Sequence, residues 1–118
     1  MKEIISLLLF LLPMMTISEP LDMNFEVLKR QIVTAYSSSL DETDDMPEIM
    51  ANNKKVFYGA VANNCRKFGT EVNIMGADFI VSDRKNKRYG CEWWDLWLPS
   101  KKEALEFGIW RGQEVVIY

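Results

Sequence analysis

From Phe25 onward this chain breaks into short β-prone runs cut by turn residues, and that rhythm leaves it few ways to fold. The runs are Gln31 to Tyr36, Val56 to Ala62, Glu71 to Ile74, Phe79 to Ser82, Trp93 to Leu98 and Gln113 to Tyr118. Phe68-Gly69-Thr70 and Met75-Gly76-Ala77-Asp78 supply turns between them. Ahead of the first run, Glu26 to Arg30 is compatible with a helical turn. One segment carries helix punctuation, with Ser100 as N-cap, Glu103 as its capping-box partner and Gly108 just past the end. So short a helix depends on packing, for which Ala104, Leu105 and Phe107 are the apolar residues. Ser37 to Lys55 is mostly polar, with Asp44, Asp45 and Pro47, and shows almost no strand signal. Loops of this length in compact domains are functional or disordered. Six short strands and one helix are expected to close into a small barrel, because closure removes exposed strand edges.

The 118 residues and net charge of −3 suit one small domain and argue against a nucleic-acid partner, since no basic stripe is present to meet phosphates. The one basic cluster, Arg84, Lys85, Lys87 and Arg88, reads as a solvated loop. There is no histidine, so acid/base chemistry must fall to carboxylates, Lys, Tyr or Cys. At the N-terminus, Lys2, the apolar stretch Ile4 to Met15 and Thr16-Ile17-Ser18 read as an export signal over residues 1–18. A linker, 19–24, and a domain over 25–118 follow. The apolar stretch is shorter than the roughly 20 residues that span a bilayer, which favours a cleaved signal. Glu3 and Pro13 leave an uncleaved anchor open as the route to a membrane. The expected location is therefore secreted or in the cell envelope. There Cys65 and Cys91 could form a disulfide, or stand as two small buried thiols; sequence leaves both readings open. Two sulfurs without further ligands make a poor zinc site, so no metal or cofactor is expected, and a monomer suffices.

Asp83 and Asp95 flank the basic loop, each following or interrupting a β-prone segment where an ionised carboxylate costs free energy unless compensated. Two carboxylates beside aromatics are the usual apparatus for acid/base work on a glycosidic bond. Alternation along Trp93 to Leu98 puts Trp93, Asp95 and Trp97 on one face, and Trp94, Leu96 and Leu98 on the other, which is the natural core face. Thr34 and Tyr36 likewise share a face. Asp95 between two indoles would be desolvated and held protonated long enough to donate to a leaving oxygen. Against these readings stand plainer ones: Asp83 as a turn residue accepting backbone N–H bonds, Asp95 as a hydrogen-bonded strand aspartate, and each Trp as core. Lys54 or Lys55 could stabilise developing charge, though a surface lysine is the default.

Thr34-Ala-Tyr-Ser37, Thr43-Asp44 with Pro47, Gly59-Ala-Val-Ala-Asn-Asn64, Phe68-Gly-Thr70, Val81-Ser-Asp83, Trp94-Asp-Leu-Trp-Leu-Pro-Ser100 and Phe107-Gly108 follow one another in an order that resembles the bacterial 3D domain, named for three aspartates. The resemblance runs from about Val33 to Tyr118. It implies a mainly β fold, a six-stranded double-psi β-barrel with one short helix, like the catalytic domain of membrane-bound lytic transglycosylase A and of stationary-phase secreted cell-wall enzymes. It implies a peptidoglycan lytic transglycosylase that cleaves between N-acetylmuramic acid and N-acetylglucosamine, leaving a 1,6-anhydro end without a metal. By family position Asp95 is the acid/base, Asp83 its support, and Tyr36 borders the cleft; Trp93 and Trp97 would stack on sugar rings. One carboxylate would give and retake the proton. Three departures stand out. Asn63 or, better aligned, Asn64 replaces the first aspartate, and Arg84 to Arg88 replaces a Gly-rich run. Ala51-Asn-Asn-Lys54 lacks the usual Gly. They point to an alternative on the same fold, a non-catalytic glycan-binding or wall-associated module.

Overall fold

The computed structural model describes residues 24–39 and 48–118. The expected signal over 1–18, the linker up to residue 23, and Thr43, Asp44, Asp45 and Pro47 lie outside the described residues. Among the described residues, six strands and one helix run in the order β1 Glu26–Tyr36, β2 Ala60–Ala62, β3 Glu71–Ile74, β4 Ala77–Asp83, β5 Trp93–Trp97, α1 Lys101–Phe107 and β6 Trp110–Ile117. The strands close into a barrel in the order β1-β5-β2-β4-β3-β6. The expectation of a mainly β fold, six strands in a barrel with one short helix, is met. β1 runs parallel to β5, and β2 to β4; the other neighbours are antiparallel, so this is not an up-and-down barrel.

Every strand sends β-branched or large apolar side chains to one core. Val33, Val61, Val72, Ile74, Val81, Trp94, Leu96, Val115 and Ile117 form it, with Phe79 and Phe107 packed against it. Trp94 is fully buried, and its indole N–H donates to Gln31 Oε1 at 2.8 Å, so its polar handle is satisfied. The core face expected on β5 is therefore the one found.

Local signals and the tertiary structure disagree at several places, among them β6, which begins at Trp110 and not at Gln113. Glu26 to Arg30 is strand and not a helical turn: Glu26, Val27 and Leu28 pair with Ile117, Val116 and Val115 of β6. The register shifts between Leu28 and Gln31, where Arg30 takes a left-handed φ of 59° at a bulge. A partner strand decides this segment where its own propensity does not. The run Val56 to Ala62 shortens to Ala60–Ala62, because Gly59, at φ 113°, turns the chain just before it. The expected turn Met75 to Asp78 tightens to Met75 and Gly76, both at positive φ as a two-residue hairpin requires, so β4 already begins at Ala77. In α1 the Ser100 hydroxyl oxygen accepts the Glu103 N–H, as expected, and Ala104 is buried, but Leu105 faces solvent at 67% exposure.

Candidate functional site

The site begins with a register. In β5, Asp95 lies opposite Thr34 of β1 on one side and Ala62 of β2 on the other. On the far side of β2, simple alternation after Val61↔Val81 would set Ser82 opposite Ala62. A bulge intervenes, and Ala62 faces Asp83 instead. Thr34, Asp95, Ala62 and Asp83 thus form one row across four strands. The two aspartate backbones stand two strand spacings apart, on the order of 10 Å.

Tyr36 closes the row. Its hydroxyl donates to Asp83 Oδ2 at 2.6 Å, and the ring is 7% exposed. Burial, then the charge and hydrogen bond of Asp83, and then the charge of Asp95 push its phenol well above the ordinary tyrosine value. The phenol therefore stays a hydrogen-bond donor and feels both aspartates. Asp83 Oδ1 also accepts the backbone N–H groups of Ala51 (2.8 Å) and Arg84 (2.9 Å). With three donors, it holds the segment around Ala51 against the end of β4, as the turn-residue reading expects; its side-chain partner is Tyr36, whereas the expectation named Asp95 as the group it supports.

Asp95 is 8% exposed. Its Oδ1 accepts the Thr34 hydroxyl at 2.8 Å and its Oδ2 meets the Lys85 ammonium at 2.9 Å. These are the contacts of an ionised carboxylate, and a cation at this distance favours that form. Asp95 is removed from solvent, and a lysine from the basic loop pairs with it there, a partner the sequence reading did not name. That loop is solvated at Arg84, Asn86, Lys87 and Arg88, as expected, but Lys85 turns inward and the loop is tethered. Asn64 Oδ1 accepts the Lys85 N–H at 2.8 Å, while Asn64 Nδ2 donates to the carbonyls of Asn86 (3.0 Å) and Tyr89 (3.1 Å). Asn64, which stands where the resemblance has its first aspartate, is the clasp of the loop. The neighbouring Asn63 is fully buried and donates to the carbonyls of Cys91 and Trp93, while accepting the N–H groups of Cys65 and Arg66.

Cys65 and Cys91 form a disulfide, with Cα atoms 5.4 Å apart, and both residues are exposed, which sets aside the buried-thiol reading. It pins the chain after β2 to the approach of β5, closing the same loop from outside. Arg84 donates to the Asn63 carbonyl at 2.8 Å and stacks on Phe68, 3.9 Å from its centroid. The half-buried Trp93 packs edge-on against Tyr89 at 4.8 Å, and Lys85 and Arg111 sit 5.7 and 5.8 Å from its ring. Trp97, also half-buried, donates its indole N–H to Ser38 at 3.0 Å. A hydrogen bond from Arg88 holds the Tyr89 phenol below its ordinary value.

Sequence reasoning missed Lys85. The lysines weighed there, Lys54 and Lys55, are exposed. The available signal was the basic run directly after Asp83, together with an Asn able to clasp it. A separate cleft of about 620 Å³, lined among others by Tyr58, Met75, Phe79, Leu98 and Phe107, includes neither aspartate. Among the described residues no three Asp, Glu or Cys side chains are grouped to hold a metal ion, and no helix is long and apolar enough to cross a membrane.

Fold and site together define a closed six-stranded β-barrel with a lysine–carboxylate pair, a buried tyrosine and a second aspartate beside an aromatic and basic loop. The chain matches no protein-family model and no curated protein.

Proposed function

We propose that this chain acts on the glycan strands of peptidoglycan as a lytic transglycosylase of the cell envelope, cleaving the bond between N-acetylmuramic acid and N-acetylglucosamine with formation of a 1,6-anhydro end. The observation that carries the reading is the row Thr34, Asp95, Ala62, Asp83, which a bulge in β4 brings into register with Tyr36 across it. The resemblance of the sequence blocks to the 3D domain points the same way. In this reaction the C6 hydroxyl oxygen of the muramic sugar attacks its own C1, and Asp95 takes the hydroxyl proton. An ionised, hydrogen-bonded carboxylate is suited to that half of the work. Trp93 and Tyr89 offer ring surface for a sugar, and Tyr36 and Asp83 keep the neighbourhood of Asp95 fixed.

A second reading has its own support. Asp95 is paired by Lys85 and Asp83 is engaged by three donors, as in a domain that binds glycan strands without cutting them. Digestion of purified peptidoglycan with the full chain, followed by mass spectrometry for 1,6-anhydro fragments, separates the two. Fragments from wild type and none from Asp95→Asn are expected. Co-sedimentation of both proteins with the wall, without fragments from either, makes it a binding module.

A further inference from the structure

We propose that Lys85 is the general acid of this site, so that proton donation and proton removal are divided between Lys85 and Asp95. The inference rests on the glycan-cleaving reading and replaces its single-carboxylate cycle. That cycle must start with Asp95 protonated, whereas the Asp95 carboxylate lies 2.9 Å from an ammonium and 2.8 Å from a hydroxyl donor. In both contacts Asp95 is the acceptor, and the mobile proton of the pair sits on its partner.

The geometry suits Lys85 to this task. Its backbone is clasped by Asn64, and the carbonyls of Asn86 and Tyr89 further along the loop are held by the same amide. Its Nζ lies 4.3 Å from the Tyr89 ring centroid, on the aromatic surface assigned to the sugar. The side chains of Lys85 and Asp95 are only 14% and 11% exposed.

The steps balance. A lone pair on the C6 oxygen forms the new bond to C1, and the electrons of the C1–O glycosidic bond leave with the departing oxygen. That oxygen takes a proton from the Lys85 ammonium, and Asp95 takes the proton of the C6 hydroxyl. Lys85 is then a neutral amine and Asp95 a neutral acid. Proton transfer across their hydrogen bond restores the ion pair, with no net gain or loss of protons and no water consumed.

Lys85→Arg is the decisive variant, because a guanidinium keeps the positive charge against Asp95 but does not give up a proton at any accessible pH. The full chain and its Lys85→Arg, Lys85→Met and Asp95→Asn variants would be assayed on peptidoglycan and on a para-nitrophenyl β-glycoside of N-acetylmuramic acid. The nitrophenolate leaving group needs no protonation. For Lys85→Arg the expected result is a loss of kcat on peptidoglycan of about 100-fold or more. KM should stay within a few-fold, the melting temperature should be unchanged, and turnover of the aryl glycoside should be kept. Asp95→Asn should lose both substrates. If wild type and Lys85→Arg release anhydro fragments at similar rates, or Lys85→Arg loses both substrates alike, Lys85 is only a charge partner and the inference is overturned while the transglycosylase reading stands. If wild type releases no anhydro fragment, that reading falls and the inference with it.

Discussion

Tyr36 senses both aspartates at once, and its ionisation should be visible in the stability of the whole protein. Burial and Asp83 raise its folded value, whereas in the unfolded chain a tyrosine ionises near pH 10. Below about pH 10 both states keep the proton and the stabilisation is complete; above it the unfolded chain releases the proton while the folded protein holds it, so stability falls as pH rises. Tyr36→Phe should therefore lose about 2 kcal/mol at neutral pH, the scale of a hydrogen bond to a charged group, and show a shallower alkaline decline. Urea melts across the alkaline range measure both; parallel declines for the two proteins would count against this account. The face shared by Thr34 and Tyr36 was legible from the sequence, because alternation is a property of adjacent residues. The attachment of Asn64 to the loop was not, since an asparagine's partners depend on what the fold brings within about 3 Å of it.

At the scale of elements, punctuation was more legible than length. Ser100 and Gly108 bound α1 as their side-chain chemistry requires, the serine hydroxyl oxygen accepting the Glu103 N–H at 3.1 Å and Gly108 standing at φ 75°. Ser100→Ala should cost about 1 kcal/mol, read as a lower midpoint in urea. The helix packs on β1, so the loss should register in global unfolding and not only as local fraying. Strand extents were harder. β1 gains its first half only by pairing with β6, and β4 gains Ala77 and Asp78 from the tightness of the Met75-Gly76 turn. The bulge between β2 and β4 left no mark in the local pattern, yet it sets Asp83 rather than Ser82 opposite Ala62.

For the molecule as a whole, the Cys65–Cys91 disulfide closes a loop of 26 residues that contains β3, β4 and the basic segment. By the chain-entropy estimate, opening it should cost roughly 3 kcal/mol. Unfolding of the double Cys→Ser variant against wild type under non-reducing conditions tests this. The bridge also braces the loop that carries Lys85, so under the proposed function the same variant should release fewer anhydro fragments than its lowered stability explains.

The sequence by itself determined the run of short strands, the capped helix, the core face of β5 and the candidacy of Asp83 and Asp95. Those features follow from side-chain periodicity, turn chemistry and capping, which act over a few residues. Only the tertiary structure decided that Lys85 neutralises Asp95, that Asn64 is a clasp, and that the cysteines are joined. Each depends on a loop returning across the barrel, and such long-range placements are set by packing between strands far apart in the chain.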